Sequence, residues 1–399
     1  MSRYNQMVNK TAKLNINPAQ SSNIPRTGMT HTTLIIPSNT VPTFGSYFTI
    51  NINNTGLKVH DLVLQFNINQ ITGLTGTAAG YPQLSPATFW YTRIEYLVNG
   101  VIVDTIYGDE THLLNNICVS TVAERDYNNP TQRNGLSTNN GSNWFVPLKT
   151  FFNASHYPIL NPSHTVQLKI YMNNLPNICQ QSTLTGTPSC TINFCNLIVR
   201  GTMLSQTYQT ALLNEIQTTP KTYKYYSTLY YTNTYQAGIS SLQSTLSSIT
   251  GSISHLFFVI RPTTGLTLGS QWQYLPILNF QLLSAASASL VGGQALNGNY
   301  NLLVQSGKYW FPYSQFFEDS FSTTNYIPSL VYCYSFSADP NMAYQTGQYL
   351  TTYNFTGNEQ LQVQFNVPTS NAIQLDLYAF QESAINQSLT GIQKLTITE

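Results

Sequence analysis

The stretch from Phe89 to Gly108 limits the fold of this chain more than any other. In FWYTRIEYLV, residues 89–98, Phe89, Tyr91, Arg93, Glu95 and Leu97 alternate with Trp90, Thr92, Ile94, Tyr96 and Val98. A period of two is that of a strand with one face buried, and apolar content assigns Trp90, Ile94 and Val98 to the inside. Asn99-Gly100 follows, a pair suited to the positive backbone angles of a two-residue hairpin turn, and VIVDTIYG, residues 101–108, supplies the returning strand.

The same pattern recurs along the chain. Strands are expected at 31–37, 46–52, 58–69, 144–149, 164–172 and 189–204, about eight in the first half with the hairpin. A second series covers 222–234, 253–261, 273–291, 301–304, 329–336, 360–366 and 372–380. Asn-Gly pairs at 134, 140 and 297 punctuate the whole chain, and 27 Tyr and 19 Phe favour pleated, half-buried backbone. Helices are few. Asp109 is placed to cap a short one through ETHLLNNICVS, and QTYQTALLNEIQTTP, 206–220, reads as a helix ended by Pro220. The polar, aperiodic segment 126–143 reads as an exposed loop.

At 399 residues the chain exceeds what one core usually supports. The expected organisation is a polar arm at 1–28, a first sandwich at 29–206, a connector at 207–220 and a second sandwich at 221–399. Each half has the length and strand count of an eight-stranded jelly roll, so the fold class is all-β, two tandem jelly-roll sandwiches with a few short helices. An immunoglobulin-like stack fits less well, because each half is too long and the Cys, Trp, Cys spacing is missing.

Charged residues make up only 8% of the chain, against roughly 25% in ordinary soluble domains, and the formal net charge is +1. A polar but nearly neutral surface suits a protein that packs against copies of itself. Four of the 16 basic residues, Arg3, Lys10, Lys13 and Arg26, lie in the first 28 positions, ahead of the first acid, Asp61. Such an arm is expected either as a plain tail or as a segment meeting an anionic surface, lipid head groups or nucleic acid. No apolar leader opens the chain and no apolar run approaches about 18 residues, so neither a signal peptide nor a membrane span is expected.

The side chains available for chemistry are sparse. The acids cluster only as neighbours, at Asp109-Glu110, Glu124 to Asp126 and Glu318-Asp319, with nothing to pair them across a substrate. His31, His60, His112, His156, His164 and His255 are dispersed, without metal-ligand spacing, and Gly292-Gly293 lacks the pattern of a phosphate loop. Five cysteines (118, 179, 190, 195, 333) form no framework; Cys179 and Cys190 could close a loop, but reduced buried cysteine is the commoner state in a protein made in cytosol. Neither a catalytic site nor a cofactor, nor sequence-specific nucleic-acid recognition, is expected. A Tyr-rich carbohydrate-binding or adhesive surface is the alternative, although aromatics at strand spacing are far more often core.

Two blocks carry a family resemblance. RIEYLVNGVIVDTIYGDETHLLNNI, residues 93–117, resembles the first-domain block of double jelly-roll major capsid proteins, with Asn99, Gly100, Asp104, Tyr107, Gly108 and Asp109 at matching positions. IPSLVYCYSFSADPNMAYQTGQYLTTYNFTGNEQLQVQF, residues 327–365, is similar to the second-domain block and is the stronger match, through Tyr334, Ser335, Phe336, Pro340, Gly347, Asn354 and Phe355. The tail at 375–395 resembles the family's ending. The usual Trp of the helix after the hairpin and the Asn-Tyr-Asn element of the final strand are absent.

The resemblance spans the adenovirus, tailless membrane-containing phage, large nucleocytoplasmic DNA virus and virophage lineage. It implies a structural protein, not an enzyme, made in the host cytoplasm and located in the virion. Three copies would present six similar sandwiches as a near-hexagonal capsomer of an icosahedral shell. The implied partners are the other two copies of the homotrimer, neighbouring capsomers, penton and minor capsid proteins, and an internal lipid membrane met by the N-terminal arm.

Overall fold

The computed structural model describes residues 30–52, 56–75, 86–111, 113, 142–148, 158–159, 165–178, 185–263, 274–284, 289–292, 332–336, 352–388 and 391–396. In the first half the strands are β1 (Thr30–Pro37), β2 (Tyr47–Ile52), β3 (Leu57–Ile68), β4 (Thr72–Thr75), β5 (Tyr91–Val98), β6 (Val101–Tyr107), β7 (Ser142–Leu148), β8 (Pro158–Ile159), β9 (Val166–Met172), β10 (Thr185–Ser189) and β11 (Ile192–Met203). A helix, Gln206–Thr218, follows, with the Ser205 hydroxyl accepting from the Tyr208 N–H at its start. The second half comprises β12 (Lys221–Tyr235), β13 (Ser241–Thr245), β14 (Thr250–Pro262), β15 (Asn279–Leu283), β16 (Ser289–Gly292), β17 (Tyr332–Ser335), β18 (Tyr353–Thr356), β19 (Gln360–Gln364), β20 (Ile373–Ser388) and β21 (Gly391–Thr396).

The order in which these strands pair is the same in both halves. The first half forms the sheets β1-β11-β3-β7 and β2-β9-β5-β6, and the second forms β12-β20-β14-β17 and β13-β19-β15-β16. Counting eight principal strands per half, both read first-eighth-third-sixth in one sheet and second-seventh-fourth-fifth in the other. Even an irregularity repeats. β7 and β8 lie end to end along β3, and β17 and β18 lie end to end along β14. This crossing of strands between two sheets is the jelly-roll arrangement, present twice.

Only the fourth and fifth strands are consecutive neighbours in one sheet, and in the first sandwich they are the hairpin of Asn99 (φ 51°) and Gly100 (φ 78°). Trp90, Ile94, Tyr96 and Val98 point into the core, where Trp90 packs edge-on against Trp144 at 5.5 Å. The expected strand starts two residues late: Pro86–Phe89 is a helical turn, and a register shift between Tyr91 and Arg93 buries Tyr91 beside Trp90.

Other boundaries also move. The expected strand at 273–291 is two strands, β15 and β16, and 372–380 extends to Ser388. The extension carries Gln381, Glu382 and Ser383, buried polar residues whose partners are Ser227 and the Thr250 carbonyl for Gln381, Lys224 for Glu382, and Ser227 for Ser383. Short strands β4, β10, β13, β18 and β21 carry too little apolar alternation to be read from sequence. The expected strand at 301–304 and the loop at 126–141 lie outside the described residues, while 142–143 already belong to β7.

Candidate functional site: the seam between the sandwiches

The seam begins where β6 ends. Helical backbone starts at Gly108, one residue before the expected Asp109 cap, so Tyr107 takes the capping position. The Tyr107 N–H donates to Glu110 Oε2 at 3.2 Å, and the Thr111 hydroxyl donates to the Tyr107 carbonyl at 3.0 Å. A glutamate reaching back three residues to an otherwise unpaired N–H is half of a capping box. Gly108 is required by space: a Cβ there would stand 2.3 Å from the Tyr91 carbonyl oxygen and 2.4 Å from that of Thr88.

Released from its expected capping role, Asp109 points across to the second sandwich. Arg261 at the end of β14 donates to Asp109 Oδ2 at 3.0 Å and pairs with Asp376 of β20 at 2.5 Å. Asp376 also accepts from the Tyr230 hydroxyl at 2.5 Å and from Gln374 at 2.7 Å. One guanidinium thus holds two carboxylates, one from each sandwich, away from water. Burial raises the Asp109 carboxyl to about 6, even though Arg261 pulls it down.

Glu110, adjacent in sequence, is buried elsewhere. The Thr228 hydroxyl of β12 donates to its Oε1 at 2.5 Å, and burial pushes this carboxyl up to about 8. Leu113 completes the seam by packing with Phe257, Val259, Tyr378 and Phe380, all on the outer face of the β12-β20-β14 sheet. Tyr107 lies against Tyr230 and Tyr378, with centroids at 4.8 and 5.8 Å. The Tyr225 hydroxyl donates to the Val103 carbonyl at 2.5 Å, and Tyr223, Tyr225 and Ile385 of the second half join the core of the first. An open cleft of about 320 Å³ remains at this junction, walled by Arg93, Tyr107, Asp109, Tyr230 and Arg261.

Of the first resemblance block, the structure brings Tyr107, Gly108 and Asp109 into the seam, leaves Asn99 and Gly100 at the far hairpin, and buries Asp104 within β6. Of the second block, Tyr334, Phe336 and Phe355 form one aromatic group with Tyr353, Phe336 lying 5.1 to 5.7 Å from the other three rings. The Asn354 side chain is exposed, and the Ser335 backbone pairs with His255. Pro340, Gly347, Arg3, Lys10, Lys13 and Arg26 lie outside the described residues.

Nothing in the sequence pattern points to Asp376 or Thr228, whereas Leu113 falls, with Leu114, Ile117 and Cys118, on the apolar side of the helix expected after Asp109. Arg261 had one legible signal: it ends the apolar run HLFFVI in a chain with few charges. Cys190 is a free thiol donating to the Asn69 carbonyl at 3.1 Å, while Cys179 lies outside the described residues. His255 is fully buried against Ser254 and Phe380, with its imidazole pushed down to about 3 by burial. Among the described residues no three His, Cys, Asp or Glu side chains converge as a metal site, and no helix is long and apolar enough to cross a membrane.

Two copies of one strand order, joined by a buried polar and aromatic seam, define a double jelly-roll protein. The family model described as major capsid protein N-terminus matches residues 29–235, just over half of the 399, and the chain belongs to that family; its role is that of a capsid subunit. The matched region contains the block at 93–117 and not the one at 327–365. Among solved structures, PBCV-1 VP54, fitted into a reconstruction of the virophage Sputnik, is similar with a TM-score of 0.68 at 15% identity, over 94% of this chain and 99% of that one. The Faustovirus major capsid protein gives 0.62 at 10% identity, over 97% and 94%. The Sputnik virophage structure gives 0.61 at 12%, over 96% and 92%. At these identities the likeness is one of fold. No curated protein sequence matches the chain.

Proposed function

We propose that this chain assembles as a homotrimer whose six sandwiches form a pseudo-hexagonal capsomer of an icosahedral DNA virus shell, with no catalytic role. The observation that carries the reading is the identical strand order of the two halves. Two equivalent units per chain let a three-fold assembly present an outline near six-fold symmetry. A composition with 8% charged residues and net charge +1 supports close packing of copies. The division at 1–28, 29–206, 207–220 and 221–399 is part of the same proposal, supported by the helix Gln206–Thr218 between the two sets of sheets.

The test is the mass of the purified full chain in solution. A trimer persisting on dilution is the expected result, and a monomer at every concentration overturns the proposal. We further propose that the arm carrying Arg3, Lys10, Lys13 and Arg26 faces inward, onto a lipid membrane. Deleting residues 1–28 is then expected to leave the fold intact and to lower particle yield or lipid content. Unchanged yield together with unchanged lipid would remove that role. Contacts with neighbouring capsomers, penton and minor capsid proteins, and synthesis in the host cytoplasm, follow from the same reading.

A further inference from the structure

The lining of the 320 Å³ cleft at the seam combines two chemistries. Part of it is aromatic: Tyr107, Tyr230 and Tyr378 pack as one group, with ring centroids 4.8 to 5.8 Å apart. The rest is polar, with Thr92 and Asn177 exposed and Arg93 keeping 43% of its side chain in solvent.

The charges around the cleft are already matched. Arg93 Nε donates to Glu95 Oε1 at 3.0 Å while its guanidinium lies 3.9 Å from the Tyr171 ring centroid, and Arg261 is held by Asp109 and Asp376. An ionic ligand would have to break one of these pairs. A purely apolar ligand would take Asp109, Thr92 and Asn177 out of water with no hydrogen bond in exchange. A neutral sugar meets neither cost. Its ring offers an apolar C–H face to an aromatic wall, and a girdle of hydroxyls that both donate and accept to carboxylate, amide and guanidinium.

We infer that this cleft binds a neutral sugar unit of a glycan. A volume of 320 Å³ is at the small end for ligand sites and suits a single sugar. The position of the cleft adds to the case. β1 begins at Thr30, just after the arm, and reaches Pro37 about 25 Å further on. The chain then enters β2, where Tyr47 pairs with Tyr171, Tyr171 with Arg93 and Arg93 with Tyr107. The cleft therefore stands at the end of the first sandwich away from the arm. With the arm inward, as proposed above, this end faces the outside of a particle, where glycans are met. Only that placement rests on the proposed orientation; the site itself does not.

The test is saturation-transfer NMR on the purified full chain. The probes are the methyl glycosides of glucose, galactose, mannose and N-acetylglucosamine, with N-acetylneuraminic acid and cyclohexanol as ionic and apolar controls. A neutral glycoside is expected to bind with a Kd of about 1 mM, the level a ligand of that size supports. Thr92→Trp, which puts an indole into the cleft from an exposed strand position, should weaken that binding at least about tenfold and keep the Tm. Absence of binding by every neutral glycoside, tighter binding of either control, or unchanged binding to folded Thr92→Trp overturns the inference.

Should Thr92→Trp fail to fold, Asn177→Ala decides. Loss of its hydrogen bonds to the sugar is expected to weaken binding about fivefold, and an unchanged Kd overturns the site. Intact particles that fail to bind the sugar recognised by the purified chain would overturn the outward placement and leave the site standing.

Discussion

The outer faces of β1-β11-β3-β7 and β12-β20-β14-β17, equivalent by strand order, place an ion pair between the same two strand positions and use it oppositely. In the first sandwich Asp61 sits on the third strand and Arg200 on the eighth, 3.9 Å apart, with side chains 47% and 63% exposed. In the second, Arg261 is on the third strand and Asp376 on the eighth, 2.5 Å apart, with side chains 13% and 0% exposed. The charges have exchanged strands. What separates them physically is water: the exposed pair is screened and gains little beyond solvation, whereas the covered pair has lost solvation and depends on its partners. A sheet face committed to a contact within the chain is thus locked by charge and aromatics, while its equivalent leaves the ion pair open to water.

The sharpest test of this contrast is Arg261→Met. Methionine fills similar volume without charge, leaving the Asp376 and Asp109 carboxylates buried beside no cation. Loss of one partner of a buried pair costs about 3–5 kcal/mol, and urea unfolding of the full chain should show a loss of that size. A loss under about 1 kcal/mol would mean that the covered pair is solvated like the exposed one, and the contrast would collapse.

Leu113→Ala tests the apolar side of the same seam. Leu113 belongs to the first sandwich but is fully buried among aromatics of the second. Truncation is expected to cost about 3 kcal/mol, within the range for buried leucines, and to raise proteolytic cleavage between the two sandwiches. Ile35→Ala, at a side chain 64% exposed on the first face, should leave the unfolding free energy of the monomer within about 0.5 kcal/mol of wild type.

Glu110 gives the seam a pH dependence of its own. Its carboxyl is raised from an ordinary 4.5 to about 8, so between those values the unfolded chain has released a proton that the folded chain retains. Stability from this group is therefore fully present below about 4.5, falls as pH rises and levels off above about 8. Glu110→Gln has no proton to lose. Its stability profile between pH 5 and 8 is expected to be flatter than that of wild type by up to about 1.4 kcal/mol per pH unit. A residual slope should remain from Asp109, whose carboxyl is raised to about 6. Parallel profiles for the two proteins would show that Glu110 is solvated.

How much of this was legible in the sequence follows from what each feature depends on. The hairpin at Asn99-Gly100 and the inward set Trp90, Ile94 and Val98 are local, one turn and one period, and both are present. β20 runs past its expected end because its polar residues find partners in Ser227 and Thr250, over 130 positions away in sequence. An acid ahead of a helix usually caps it, which is the local expectation for Asp109. Its actual partner, Arg261, lies 152 positions away and is brought near only by the docking of two sandwiches. The resemblance blocks located one end of the seam through Tyr107, Gly108 and Asp109, and could not reveal the other, which is built on β12, β14 and β20.

The smallest expected effect belongs to Arg200→Ala, and it bears on the comparison as directly as the largest. At 3.9 Å and more than 45% exposure on both sides, the Arg200 to Asp61 pair should contribute no more than about 0.5 kcal/mol to the monomer. What it does contribute should vanish by about 1 M salt, where the screening length falls to about 3 Å. A monomer that loses several kcal/mol, as expected for Arg261→Met, would show instead that the first face is already covered within the chain, and the two faces would no longer differ.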